Sequence, residues 1–177
     1  AGPATSAGGL RRLEAADRLP VRAFAAELGQ SGWADSRLYF ERGAPLIQKV
    51  HGPLRERFLL LSAQVARGHN RSAFQYFEEA ANSLGELEPD DHHKVIELGE
   101  QLAPYSAFAA MDFVTSVPRV LTRIRVDELE PWHNAGPRIL QSSHDGGGAY
   151  FRHQPTRGPD IPDPPAARLE PTTVGPA

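Results

Sequence analysis

Apolar residues pair up along the chain four positions apart, and the pairs recur every 37 residues. Residues four apart lie on the same face of an α-helix, so each pair predicts one amphipathic helix. We name these the B helices. Their paired residues are Phe24 with Leu28, Leu61 with Val65, Leu98 with Leu102, and Ala135 with Ile139.

Aromatic residues recur between the B helices. Phe40, Phe77, Phe113 and Phe151 are separated by 37, 36 and 38 residues. We assign one A helix to each phenylalanine and expect its ring to fill the core. The tyrosine that precedes three of these phenylalanines should lie at the core edge, with its hydroxyl in water. A period of this length is typical of stacked repeat proteins.

Together the two patterns predict an all-α fold. We expect an α-solenoid of stacked helical hairpins with a repeat of about 37 residues, in which each unit buries its apolar face against its neighbours. Residues 11–152 would hold a B helix, three A–B hairpins and a partial fourth unit. Residues 1–10 are expected to form a disordered tail, and the proline-rich residues 153–177 a disordered linker or tail that leads to a further domain.

Local signals predict where helices begin and end. Pro89 followed by two aspartates is typical of a helix start, and Gly68 after Arg67 is typical of a helix end. Asp127 and Glu130 have the spacing of a capping box ahead of the last B helix.

Two prolines stand in the same register of the A helices. Pro45 follows Phe40 by five residues and Pro118 follows Phe113 by five, whereas Asn82 holds this position after Phe77. Proline removes a backbone donor and clashes with the preceding turn of a helix. A bend or a break is therefore expected at both prolines.

Composition narrows the class of protein. The chain has 177 residues, 40% of them hydrophobic, which suits one domain with a packed core and tails. Its longest apolar runs are far shorter than a membrane-spanning helix, and its first residues lack the pattern of a signal peptide. It has no cysteine, so disulfides and thiolate sites are excluded. We expect a cytoplasmic location.

Charge is distributed unevenly along the sequence. Residues 37–71 carry seven basic and two acidic side chains, a net of +5, whereas residues 72–112 carry one basic and nine acidic side chains, a net of −8. These stretches would be neighbouring solvated faces, or a dipolar surface that orients a protein partner. A sequence pI of 6.2 argues against nucleic acid. The side chains assigned to a partner are Arg55, Arg57, Arg71, Glu78 and Glu79.

No motif in the sequence supports catalysis. His92 and His93 are adjacent, so on a helix they point about 100° apart and suit a solvated helix start better than one metal ion. Residues 142–145 place serine, histidine and aspartate side by side, but a catalytic triad is assembled from separated segments. We therefore assign no catalytic, cofactor or metal residue and expect no enzymatic activity.

A short motif resembles a known bacterial family. Its clearest copies are Leu98-Gly99-Glu100-Gln101-Leu102-Ala103, Ala110-Met111-Asp112-Phe113 and Pro118-Arg119-Val120-Leu121. Over roughly residues 12–152, the pattern is similar to the helical repeats that precede the von Willebrand factor A domain in proteins of the nitric-oxide-reductase-activation and rubisco-activation type. The resemblance implies an adaptor that links a MoxR-type AAA+ ATPase to a target enzyme. The Asp-x-Ser-x-Ser signature of the von Willebrand domain is absent, and the resemblance assigns no functional residue.

Three functions follow from these patterns. The first hypothesis is a non-enzymatic protein-interaction scaffold or adaptor, with an AAA+ ATPase as a candidate partner. The second is the helical accessory domain of an enzyme whose catalytic domain lies outside this chain. The third is a small-ligand-binding repeat whose concave surface is lined by the A-helix aromatics.

Overall fold

The structure is a computed structural model that describes residue 13 and residues 15–68, 72–131 and 133–134. Six α-helices lie wholly in these ranges: α1 Arg18–Ser31, α2 Trp33–Gln48, α3 Arg55–Arg67, α4 Ala73–Gly85, α5 Pro89–Leu102 and α6 Ala107–Leu121. Residues 129–131 and 133–134 are also helical. Short 3-10 turns cover Ala15–Asp17, Gly52–Leu54 and Val126–Glu128. No β-strand occurs in the described ranges, and the all-α prediction is confirmed. Several predicted features lie outside the described residues, namely the two tails, Arg71, Tyr150, Phe151 and residues 142–145.

The helices form two layers. The B helices α1, α3 and α5 pack side by side in one layer, and the A helices α2, α4 and α6 do so in the other. Across the layers, α1 packs against α2 and α5 against α6, whereas α3 packs against both α4 and α6. Gly32 alone separates α1 from α2. The core lies between the layers.

The B layer keeps the predicted register. Phe24 and Leu28 of α1 are fully buried, and the residues 37 and 74 positions later are at most 1% exposed. Burying an apolar side chain of this size contributes about 1.5–3 kcal/mol relative to leaving it in water. The four-residue spacing therefore identified the core face of three successive helices.

The A layer departs from the predicted register at its first helix. Phe77 and Phe113 are fully buried, but Phe40 is 46% exposed, so the prediction that Phe40 fills the core is wrong. Tyr39 takes the core position instead, with its ring 5.0 Å from that of Phe24 and 5.7 Å from that of Phe77. Its hydroxyl does not reach water but donates a hydrogen bond to the Val21 carbonyl at 3.2 Å. A strict 37-residue repeat of the A helices therefore fails.

Gly43 explains how α2 accommodates the tyrosine. Gly43 lies one turn after Tyr39, and a Cβ atom there would come within 2.9 Å of a ring carbon of Tyr39. The missing side chain lets the tyrosine ring lie flat along its own helix. The buried hydroxyl contributes as well, because burial raises the pKa of Tyr39 and keeps the phenol a neutral hydrogen-bond donor.

Neither proline breaks its helix. Pro45 lies inside α2 and Pro118 inside α6, and each helix ends three residues later, at Gln48 and Leu121. In α4 the equivalent residue is Asn82, and that helix also ends three residues later. The prolines therefore stand in the last turn, where each removes one backbone hydrogen bond but has only three helical residues after it.

A side chain of one A helix caps the next. Ser72 precedes α4 but its hydroxyl makes no capping hydrogen bond. The Asp35 carboxylate of α2 accepts a hydrogen bond from the Phe74 N–H at 3.5 Å, and also one from the Ala73 N–H. Burial raises the pKa of Asp35, and the two backbone hydrogen bonds oppose this shift. Asp35 thus holds the first turn of α4 against α2.

Candidate interaction surface

Arg55, the first residue assigned to a partner, serves the fold. Its side chain is only 14% exposed, and Nη1 lies 3.0 Å from Oδ2 of the buried Asp17. Its Nε donates to the Val50 carbonyl at 3.1 Å. Arg55 therefore ties the turn before α1 to the start of α3.

The other assigned residues pair between and within helices. Arg57 of α3 lies 2.6 Å from Glu100 of α5, and this hydrogen bond raises the pKa of Arg57. Glu78 of α4 lies 3.2 Å from Arg42 of α2. Glu79 accepts from Gln75 within α4 at 2.8 Å.

These pairs explain the uneven charge. Arg42 of α2 pairs with the acidic α4, and Arg57 of the basic α3 pairs with the acidic α5, which supports the interpretation as neighbouring solvated faces. Arg55 and Arg57 lie in the B layer, whereas Glu78 and Glu79 lie in the A layer. The structure does not join these four residues into one site, and Arg71 lies outside the described residues.

The histidines form no metal site in the described ranges. His92 is buried, and its Nδ1 accepts the His51 N–H at 3.1 Å, whereas His93 is exposed. The solvated role predicted for His92 is therefore wrong, because this ring links α5 to the loop before α3. No group of three potential metal ligands occurs among the residues that the structure describes.

An open depression of about 620 Å³ lies between α5 and the 126–128 turn, lined by Lys94, Arg125, Val126 and Asp127. Its two cations already have carboxylate partners, since Lys94 lies 3.1 Å from Glu130 and Arg125 lies 3.2 Å from Asp127. Three of the A-helix aromatics, Tyr39, Phe77 and Phe113, are fully buried and so do not line a concave surface. The geometry therefore gives the small-ligand hypothesis no support.

The exposed aromatic residues of α2 share one face. Asp35, Arg42 and Lys49 of α2 point toward α4, where they contact Phe74, Glu78 and Asn82. With about 100° of rotation per residue, Trp33 and Phe40 fall on the opposite side of α2. Trp33 is 75% exposed and Phe40 46%. They belong to the end of the A layer.

The side chain of Arg37 lies between these two rings along the helix. Its guanidinium carbon is 5.6 Å from the centre of the Trp33 ring, within the range of a cation–π contact. Its Nε lies 2.6 Å from the Glu41 carboxylate one turn on, and that hydrogen bond raises the pKa of Arg37. The arginine is thus held over the tryptophan.

Helix α1 extends this surface. Glu27 of α1 points toward α3, where it lies 2.8 Å from Arg67. Arg18, Arg22 and Gly29 are exposed on the opposite side of α1, next to the aromatic side of α2. We name this surface the aromatic end face, which comprises Arg18, Arg22, Gly29, Trp33, Arg37 and Phe40.

Sequence reasoning missed the aromatic end face. It assigned Phe40 to the core and gave Trp33 no role. One signal was present, since Trp33, Arg37 and Phe40 follow the helical spacing of four and three residues. That spacing marks a shared face, but it does not say whether the face is buried.

Comparisons with known proteins give no relative. No protein-family model matches the chain, and no curated protein or solved structure matches it significantly. The resemblance to the von Willebrand factor A family therefore stays a hypothesis. None of the helices in the described ranges is long and apolar enough to cross a membrane.

Proposed function

We propose that the chain is a non-enzymatic protein-interaction scaffold or adaptor that binds its partner through the aromatic end face. The observation that carries this proposal is the 75% exposure of Trp33 beside Arg37 and the half-exposed Phe40. Tryptophan and arginine are enriched among the residues that dominate binding energy at protein interfaces. A large apolar patch bordered by charge typically marks such an interface.

The organisation of the stack supports the same proposal. We infer that the two layers are an α-solenoid, whose end repeats normally carry a polar outer face. Two aromatic rings on the outer side of the first hairpin do not fit a polar cap. They fit a surface that another polypeptide covers.

The partner class comes from the resemblance alone. We propose a MoxR-type AAA+ ATPase, which the chain would couple to a target protein. The charge on the aromatic end face favours an acidic contact, because Arg18 and Arg22 are exposed on it beside Arg37, which already pairs with Glu41. The paired charges of α3 to α5 contribute to the fold rather than to this contact.

Binding of a purified MoxR-type ATPase to the full chain tests this proposal. We expect the double substitution Trp33→Ala/Phe40→Ala to weaken binding roughly tenfold or more. Truncating one aromatic residue at the centre of an interface commonly costs more than about 1 kcal/mol of binding free energy. Leu60→Ala is the matched control, because Leu60 is 45% exposed but lies on α3. It should leave the affinity unchanged, as measured by biolayer interferometry.

Two results would overturn the assignment. Equal affinity of the wild type and the double variant would exclude the aromatic end face as the binding surface. Failure of every variant to bind the ATPase would exclude the proposed partner class.

A further inference from the structure

We propose that the proline-rich segment of this chain, residues 159–163, docks on the aromatic end face and competes there with the external partner. The inference rests on the proposed function, because it concerns the regulation of the same surface.

The chemistry of the surface selects an acidic, proline-containing occupant. Exposed aromatic rings bind proline-rich segments in the polyproline II conformation, whose stiffness limits the entropy lost on binding. Arg18 and Arg22 are exposed on α1, and Arg37 is exposed on α2. Arg37 already pairs with Glu41, so the carboxylates of a docked segment would meet Arg18 and Arg22.

The segment from Pro159 to Asp163 supplies both features. Its sequence is Pro-Asp-Ile-Pro-Asp, so two prolines recur at a spacing of three and two aspartates recur at the same spacing. A polyproline II helix has three residues per turn, which places the prolines along one edge and the aspartates along another. One edge would meet the rings while the other met the arginines.

The spacings of the two surfaces agree. Trp33 and Phe40 are seven residues apart, which corresponds to about 10.5 Å along an α-helix. Two prolines three residues apart are separated by about 9.3 Å in a polyproline II helix. Each proline can therefore lie against one ring, with Ile161 between the two contacts.

The connecting chain is long enough to reach. The described residues end at Asn134, and residues 135–158 form a connection of 24 residues. A chain of this length can span at most roughly 80 Å. Three helices packed about 8–10 Å apart place the first about 20 Å from the third. A tether of this length gives an effective concentration of the order of millimolar, so even a weak contact would be populated.

Fluorine NMR of the full chain labelled with 5-fluorotryptophan tests the proposal. The chain contains two tryptophans, Trp33 and Trp132, and Trp33→Phe assigns their signals. We expect Pro159→Ala/Pro162→Ala to shift the Trp33 signal, and a synthetic peptide of residues 156–166 to restore it. Asp160→Asn/Asp163→Asn should shift the Trp33 signal in the same direction.

The control changes the same residue types elsewhere in the tail. Glu170→Gln/Pro171→Ala should leave the Trp33 signal in place. An unchanged Trp33 signal in both test variants would overturn the proposal. So would an equal shift in the control variant, or a shift that depends on protein concentration, because the latter would show that a second copy occupies the face.

The two proposals can fail separately. If the tail docks but the ATPase is not the partner, the Trp33 signal will still respond to the tail substitutions while no variant binds the ATPase. If both hold, Pro159→Ala/Pro162→Ala will bind the ATPase more tightly than the wild type. An ATPase affinity that the prolines do not change would exclude competition.

Discussion

Tyr39 and Phe40 are neighbours in sequence but lie in opposite environments. Successive residues of a helix point about 100° apart, so only one of the two rings can lie between the layers. Tyr39 is buried among Phe24 and Phe77, and its hydroxyl finds the Val21 carbonyl. Phe40 is left half-exposed and becomes part of the aromatic end face.

The substitution Gly43→Ala tests how closely Tyr39 is packed. Alanine raises helix propensity by about 1 kcal/mol, but overpacking a fixed core costs about 1–3 kcal/mol. The new Cβ would lie 2.9 and 3.0 Å from ring carbons of the fully buried Tyr39, so we expect a net loss of about 1 kcal/mol in the free energy of unfolding. Urea denaturation measures it.

Gly29→Ala is the matched control for this prediction. Gly29 also lies in a helix, but no atom would lie within 4 Å of its Cβ. This substitution should raise stability by up to about 1 kcal/mol. Equal gains at both glycines would contradict the close packing of Tyr39 over Gly43.

Asp35 predicts a pH dependence of stability. Its pKa in the folded chain is raised above the ordinary 3.8 by burial, so the unfolded chain releases the proton first. This contribution to stability is complete below pH 3.8 and is lost as the pH rises through the raised pKa. Asp35→Asn keeps an oxygen acceptor for α4 but cannot ionise, so this variant should lose less stability over that interval.

Denaturant unfolding of wild type and Asp35→Asn at pH values from acidic to neutral measures the difference. Asp35→Ala separates the capping role, because it also removes the acceptor and should be about 1 kcal/mol less stable than Asp35→Asn at every pH. If the free energies of unfolding of the wild type and Asp35→Asn changed in parallel with pH, the inferred shift in the pKa of Asp35 would be refuted.

At the scale of single helices, local signals predicted some boundaries and misplaced others. Helix α5 begins at Pro89 with two aspartates in its first turn, and α3 ends at Arg67 before Gly68, as expected. The capping box predicted at Asp127 is wrong, because the Glu128 carboxylate accepts the Arg125 N–H at 2.7 Å. Acids are frequent in this segment, and spacing alone does not tell which of them turns back to the backbone.

The start of α3 depends on the ion pair between Arg55 and Asp17. Removing one partner of a buried pair leaves an uncompensated charge and costs about 3–5 kcal/mol. Because the two side chains are 14% and 6% exposed, we expect Arg55→Ala to lower the free energy of unfolding by about 3 kcal/mol. Arg57→Ala is the control, since its pair with Glu100 is over a third exposed and should contribute about 0–1 kcal/mol.

Chemical denaturation of both variants checks the contrast. A small decrease in the free energy of unfolding for Arg55→Ala would mean that the arginine is not needed for folding. That result would favour the assignment of Arg55 to a partner. A large loss would explain any binding defect of this variant by unfolding.

At the scale of the whole molecule, the core residues of the two layers span the same total distance in sequence. Core positions of the B layer are 37 and 37 residues apart, from Phe24 through Leu61 to Leu98. Core positions of the A layer are 38 and then 36 apart, from Tyr39 through Phe77 to Phe113. Both sums are 74, so the extra residue between Tyr39 and Phe77 is offset by one residue fewer between Phe77 and Phe113. The first and third core positions are therefore equally far apart in the two layers.

A stack of this kind predicts position-dependent effects of core substitutions. Phe77 lies at the centre, with its ring within 6 Å of the rings of four residues from α1 to α4, namely Phe24, Tyr39, Phe58 and Phe74. Phe77→Ala should cost about 3–5 kcal/mol and expose amides in both layers. Phe113→Ala should first loosen α5 and α6, because each unit contacts only its neighbours.

Hydrogen exchange with mass spectrometry of the two variants distinguishes these outcomes. Uniform loss of protection in both variants would argue for one indivisible core and against the proposed solenoid.

The sequence by itself determined the helical class and the core face of the first three B helices, because a four-residue spacing of apolar side chains is a local property of one helix. Only the tertiary structure decided which ring of the Tyr39–Phe40 pair is buried and that Arg55 is an internal ion-pair partner. It also decided that the outer side of the first hairpin leaves Trp33 exposed. These outcomes depend on contacts between distant segments, and a single-residue shift between packed helices changes them without changing any local pattern.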